Sequence, residues 1–274
     1  MTVANFIPSI WEARLLANYH NRSVADVITT PPTSISGNKI IFNRVSSVAI
    51  KDYDPAATTP VSFDGLTTPK VEIDMDQKKY FAFKIGDVDA AQAAGNLLDP
   101  TVSEASATLS ETIDTYVLGL YTAADVDNLV GNDTTPIALD STTAYESIVD
   151  LGTKLGTKKV PKAGSSVIVN SAVLGLLAKN DRFTRNPNVL ANGIVEGQTI
   201  NGMQVVVSEQ IANAAGKYKI LAVGSGAIGY GCQINSLEAI RLQDDFADGV
   251  RGLCVHGATV LRPEAVAVLT GTFA

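Results

Sequence analysis

The amino-acid sequence predicts a mixed α+β fold. Two long strand-like runs face each other across a turn-rich tip, and one stretch keeps helical spacing for about six turns. The order of parts (hairpin, long helix, mixed unit, strands again) lacks the regular alternation of a parallel α/β sheet. The chain has 274 residues, 46% hydrophobic and 18% charged. That composition fits a folded chain of one large or two modest domains, not a disordered one.

Residues 5–19 read as a short amphipathic helix. Ile7, Trp11, Leu15 and Tyr19 recur at four-residue spacing, and Pro8 suits a first turn. A polar stretch and the breaker Thr29-Thr-Pro-Pro32 follow. Two readings stay open for this helix: an arm that docks on something, or plain core packing.

Residues 39–50 and 71–85 come next, as two strands. In the second, the odd positions are Val71, Ile73, Met75, Gln77, Lys79, Phe81, Phe83 and Ile85. The even positions carry Glu72, Asp74, Asp76, Lys78, Tyr80, Ala82 and Lys84. Only Gln77 and Lys79 break the apolar phase. At ~3.3 Å per residue such a run extends about 50 Å, against about 20 Å for an ordinary strand. Residues 54–69, DPAATTPVSFDGLTTP, cap the pair. The remaining core would be roughly 40 Å across. The hairpin is therefore expected to project beyond its own domain and to need another molecule over its apolar face. The Glu72, Asp74, Asp76 stripe is either a solvated face or a row of ion pairs to a neighbouring subunit.

A polar connector at 87–95 leads to Asp99-Pro100, an N-cap and first-turn proline. Residues 101–124 follow as the long helix, with Val102, Ala105, Leu109, Ile113, Tyr116, Val117, Leu120 and Tyr121 at its apolar positions. Residues 128–142 read as a linker. Residues 143–155 are helical, with Tyr145, Ile148, Val149 and Leu155 on one side. The run SVIV at 166–169 suits a buried strand, 171–179 a short helix, and 180–197 a loop holding Arg182, Phe183, Arg185 and Pro187. Strands are expected at 203–207 and 218–223, the first preceded by the hairpin signal Asn201-Gly202. Two antiparallel strands, 237–242 and 250–261, join at 244–249. Residues 262–265 interrupt before a last strand at 266–269. No repeat of 20–50 residues is visible, which excludes a solenoid.

Net charge is −7 and the pI about 4.9, which disfavours tight binding of phosphate backbones by the surface as a whole. The apolar runs fall short of the ~20 residues that cross a bilayer. No secretory pattern opens the chain, so synthesis in the cytosol is expected. Cys232 and Cys254 lie outside any CxxC motif and read as two buried thiols, ahead of a disulfide or ligand pair. His20 and His256 have no metal-ligand spacing and are expected at a surface or interface.

Gly224-Ser-Gly226-Ala-Ile-Gly229 matches GxGxxG, but too few residues separate it from the next strand for a crossover helix. It reads as a glycine-rich turn and not a dinucleotide site. Asp244, Asp245 and Asp248 lack the glutamate that closes a calcium loop and read as a turn. Ser208 has no GxSxG frame. No catalytic group, cofactor or metal is expected.

Several segments carry a family likeness. Phe6-Ile-Pro-Ser-Ile-Trp-Glu-Ala-Arg-Leu-Leu16 is followed by the long hairpin and the helix at 101–124. Ile200-Asn-Gly-Met-Gln-Val-Val-Val-Ser208, Lys219-Ile-Leu-Ala-Val-Gly224 and Val260-Leu-Arg-Pro-Glu-Ala265 come later. In order and spacing they resemble the major capsid protein of tailed bacteriophages, the Hong Kong 97-type fold shared with encapsulins. The resemblance implies an N-terminal arm (1–35), an extended hairpin loop (36–86), a discontinuous peripheral domain (87–131 and 233–274) with a spine helix, and an axial domain (132–232).

It further implies a non-enzymatic shell protein that self-assembles into hexamers and pentamers. These would enclose double-stranded DNA, without sequence-specific binding or a membrane, in an icosahedral or prolate virion head matured from a procapsid in the host cytoplasm. Because the chain begins almost at the arm, a separate scaffolding protein or a pre-segment outside this sequence is implied, as is a portal protein. The assembly-interface candidates are Trp11, Arg14, Lys51, Phe63, Asp64, Lys70, Val71, Glu72, Ile73, Asp74, Met75, Arg182 and Arg185. Lys51 and Lys70 flank the hairpin tip, but no local signature marks either for the isopeptide cross-link of some relatives. The alternatives are an encapsulin-like compartment, a dinucleotide-binding enzyme built on Gly224–Gly231, and a tail or tube protein. The long helix and the mixed unit speak against the last.

Overall fold

The computed structural model describes residues 23–36, 39–43, 50–51, 63, 65, 70–86, 98–184, 199–243 and 245–273. The helix expected at 5–19 lies outside them. The first described elements are a single helical turn α1 (Ala25–Ile28) and the short strands β1 (Thr29–Thr30), β2 (Ser34–Ser36) and β3 (Lys39–Asn43).

The long run expected at 71–85 is two strands, β4 (Lys70–Asp74) and β5 (Gln77–Gly86), which belong to different sheets. β4 pairs antiparallel with β3, Ile40 opposite Ile73 and Phe42 opposite Val71. Pairing breaks at Met75-Asp76, just before the apolar phase fails at Gln77 and Lys79, and β5 continues in the other sheet. Period-2 patterning marks a face, and it does not reveal that two different sheets supply the cover.

The helix α2 (Leu98–Leu118) continues through a 3-10 turn, Gly119–Ala123. It starts slightly before the expected boundary, so Asp99 and Pro100 lie in its first turn. Ile113 and Val117 are wholly buried, with Leu109, Tyr116, Leu120 and Tyr121 packed beside them. On its exposed side Thr108, Thr112 and Thr115 donate to the carbonyls of Glu104, Thr108 and Glu111, a back-bonding pattern that bends helices.

The stretch expected as a linker holds β6 (Leu129–Val130) and β7 (Ile137–Leu139). Its polar residues make the turns between them: the Asn132 side chain accepts from the Thr134 and Thr135 amides. Asp140 accepts from the amides of Thr143 and Thr142 at the start of α3 (Thr143–Thr157), which holds its carboxyl below the usual range. In α3 the buried apolar stripe is Ala144, Ile148, Leu151 and Leu155. Tyr145 and Val149, expected there, are half-buried beside it.

Next come β8 (Ser166–Val169), α4 (Ser171–Ala178), the single turn α5 (Asp181–Thr184), β9 (Thr199–Ile200), β10 (Met203–Val207), β11 (Asn213–Ala214) and β12 (Lys217–Val223). β8 is paired on both edges, and its burial at every position means that both faces of the sheet are covered there. β9 and β10 meet as the hairpin that Asn201-Gly202 predicts, with φ of 51° and 84° at the two turn residues.

The last elements are β13 (Ile228–Arg241), β14 (Ala247–Val260) and β15 (Val266–Phe273). β13 begins nine residues before the expected start, directly out of the glycine turn. The eight-stranded sheet runs β6-β15-β12-β8-β10-β9, with β11 on β12 and β7 on β15. A four-stranded sheet runs β1-β13-β14-β5, and β2-β3-β4 form a third. One large core joins α2, α3 and the eight-stranded sheet. β15, which the resemblance places in the peripheral domain, is hydrogen-bonded along its length to β12.

Candidate assembly surface

The β13–β14 ladder is a platform with two working faces. On one face, glycines open room for the hairpin base. A Cβ on Gly229 would stand 2.6 Å from the Phe42 ring, and one on Gly231 would stand 2.7 Å from Ile40. A Cβ on Gly257 would meet the Asp74 carbonyl at 2.8 Å. Into this seat pack Ile40, Phe42, Ile73, Met75 and Val255, bordered by Val71, Leu253 and Leu261. The glycine-rich stretch therefore serves close backbone approach. After the turn at Gly226 (φ 73°) it enters a strand at Ile228, where a dinucleotide site needs a helix N-terminus.

The other face meets α2. His256 is fully buried there, against the expectation of a surface or interface position. Its ring lies edge-on to Tyr116 at 5.5 Å and 6.3 Å from Tyr230. Neither ring nitrogen has a hydrogen-bond partner within the described protein. Burial, helped by the charge of Lys79 and opposed by Asp76, pushes its pKa down to about 4. Tyr116 reaches Asp76 through its hydroxyl at 3.4 Å. Burial and then that carboxylate push the phenol upward. Gln77 and Lys79, the two breaks in the apolar phase, stand opposite His256 and Cys254 in the β5–β14 ladder.

Asp114 of α2 ties down the first described residues of the chain. Its buried carboxylate accepts from the Ser23 hydroxyl (2.8 Å) and from the amides of Val24 (3.1 Å) and Ala25 (2.9 Å). These amides open α1, so a side chain from a distant helix supplies the cap. Sequence reading missed Asp114, His256 and the glycine seat. The recurrence of glycine at every second residue in 229–231 was the available signal.

The interface candidates divide. Ile73 and Met75 are buried in the protein's own core, at 9% and 1% exposure, because the glycine seat covers them. The expectation that the whole apolar face needs another molecule is corrected to that extent. Val71 borders the same cluster. Glu72 pairs with Lys39 of the same hairpin at 2.9 Å, so its stripe is partly neutralised within the chain. Asp74 is exposed. Arg182 faces Glu146 at 3.3 Å. Phe63, with Ile50 beside Lys51, is almost fully exposed, at 95% and 99% for the two apolar residues. Trp11, Arg14, Asp64 and Arg185 lie outside the described residues, as does the side chain of Lys70.

At the far end of the platform an apolar groove of about 270 Å³ is lined by Ala82, Phe83, Ile240, Leu242 and Val250, with Lys84 and Arg251 at its rim. Lys84 pairs with Asp245, Arg241 with Asp248 and Arg251 with Glu238. Asp245 and Asp248 thus serve ion pairs to neighbouring strands, and Asp244 lies outside the described residues.

Comparison with known proteins agrees with this architecture. Residues 70–269 match the model of a family described as phage capsid protein. No curated protein gives a sequence match. A structure from Mycobacterium phage Che8 is 28% identical over 85% of each chain, with a TM-score of 0.65. The capsid of cyanophage P-SCSP1u shares the fold at 16% identity, over 92% of this chain and 89% of that one (TM-score 0.66). A virus-like particle from Pyrococcus furiosus shares it at 14% identity, over 96% and 98% (TM-score 0.61). The chain belongs to the phage capsid protein family. Its α+β architecture is of the Hong Kong 97 type, and it is a structural protein of the head shell, built to assemble with its own copies.

Proposed function

We propose that copies of this chain close into an icosahedral or prolate head of hexamers and pentamers around double-stranded DNA, with the hairpin tip and the N-terminal arm bridging neighbouring copies. One observation carries the role of the hairpin: its base is seated in the protein's own core, while Phe63 in the tip and Ile50 ahead of the tip are left bare. Large apolar side chains at such exposure are what an interface covers. The apolar groove beside Ile240 and Leu242 offers a second contact of the same kind.

In this reading α2 and the β13–β14 platform form the peripheral part. The eight-stranded sheet, β15 included, forms the axial part around the symmetry axes. A net charge of −7 suits an inner wall that repels packaged DNA and lets it slide. A separate scaffolding protein, a portal protein, assembly in the host cytoplasm and maturation from a procapsid belong to the same reading. An encapsulin-type compartment is the second reading, supported by the fold shared with the Pyrococcus furiosus particle.

Size-exclusion chromatography and negative-stain imaging of the expressed chain test the proposal. Polyhedral particles or capsomer rings are expected, and a chain that stays monomeric under all assembly conditions overturns it. Particles that hold a protein cargo and exclude DNA favour the second reading.

A further inference from the structure

We propose that Cys232 and Cys254 form a redox modification site, a pair of thiols that closes to an intrachain disulfide when a low-molecular-weight disulfide reaches it. In the β13–β14 ladder Cys232 stands opposite His256, and Ile234 opposite Cys254. The two cysteines are therefore diagonal neighbours on the face turned toward α2. Diagonal neighbours in a regular ladder stand ~7–8 Å apart at Cα, yet these sulfurs approach to 3.1 Å. The register shifts by one residue between Ile234 and Ser236, next to the pair. A bulge there increases local twist, and twist closes one diagonal. From this separation small side-chain rotations reach a bond of about 2 Å.

The two sulfurs differ in the way that exchange requires. Cys232 is half-buried and Cys254 is buried at 1% exposure. The Cys254 thiol is pushed up by its contact with Cys232 and by burial, so it is the poorer first attacker. The Cys232 thiolate attacks one sulfur of the small disulfide and expels a thiolate, which takes up the proton that Cys232 lost. The Cys254 thiolate then attacks Cys232 Sγ in the mixed disulfide. It expels the second small thiolate, which takes up the proton from Cys254. Two protein thiols are oxidised, one small disulfide is reduced to two thiols, and protons balance.

In a reducing cytosol the pair stays open, and outside it the pair closes. That timing rests on the head-shell reading above, whereas the bond itself does not. Once formed, the bond ties β13 to β14 midway along the platform that seats Ile40 and Phe42 on one face and α2 on the other.

The test exposes the purified full chain to oxidised or reduced glutathione, quenches with acid, denatures, and alkylates with N-ethylmaleimide before intact-mass analysis and peptide mapping. After oxidised glutathione, the expected chain carries no alkyl group, weighs two hydrogens less than the reduced chain, and yields one peptide pair joining Cys232 to Cys254. Its melting temperature rises on the order of 5–10 °C and returns with reductant. C232S and C254S show neither change. Two alkylated cysteines after oxidation, glutathione retained on Cys232, or a bond between separate chains overturns the proposal. The readout is the same whether or not the chain makes particles, so a failed shell reading is scored separately by imaging.

Discussion

Replacing His256 by phenylalanine is expected to stabilise the protein and to remove much of its sensitivity to mild acid. The imidazole lies against Tyr116 of α2 and Tyr230 of β13, within reach of the charges of Asp76 just before β5 and Lys79 within it. Neutral histidine must bury one N–H donor and one lone pair, and both lack partners among the described residues. An unmet buried polar group costs about 1–3 kcal/mol, so an apolar ring should gain about that much at pH 8, less any strain from its slightly greater size.

The pH dependence follows from the depressed pKa. In the unfolded chain the imidazole protonates near 6.5, whereas in the folded chain it resists until about 4. Between those values the unfolded state binds more protons. Stability is thus complete above pH 6.5 and falls as the pH drops toward 4, by on the order of 3 kcal/mol. Asp125, Asp133, Asp140 and Asp245 also have lowered pKa values, and their contributions fade at lower pH, below the usual carboxylate range. The difference between wild type and H256F isolates the imidazole from these groups and from His20.

Urea unfolding in half-unit steps from pH 8 to pH 4.5 measures that difference. Parallel pH profiles for the two proteins would refute the assignment. So would an H256F chain less stable than wild type at pH 8 by more than the strain of its slightly larger ring.

D114A leaves the Ser23 hydroxyl and the Val24 and Ala25 amides without their acceptor. A loss of about 2–4 kcal/mol is expected, together with faster proteolysis around residue 24, read by limited digestion. G229A drives a methyl group into the Phe42 ring and should cost about 1–3 kcal/mol. The G229A/F42A double mutant should recover part of that cost, and additive losses in the thermodynamic cycle would show that the seat is not shared. Deleting residues 52–69 should leave a soluble, folded subunit that assembles poorly, and intact shells in electron micrographs would count against the bridging role of the tip.

Features set by neighbours along the chain were legible in the residues alone. The long helix, the buried SVIV strand, the short helix after it and the Asn201-Gly202 hairpin all follow from spacing and turn chemistry within a dozen residues. The exposure of Phe63 and Gly65, the described residues of the tip, agrees with the turn-rich sequence around them. Which chain segments meet was a different matter. Alternation along 71–85 marked an apolar face, but only the tertiary pairing decided that Ile73 and Met75 lie on the protein's own glycines while β5 leaves to join β14. The same pairing buried His256 under α2, set Asp114 at the start of α1 and drew Cys232 to Cys254. Periodicity reports the environment a face requires, whereas the identity of the covering group comes from contacts between residues far apart in the chain, whose joint geometry exists only once the sheets have closed.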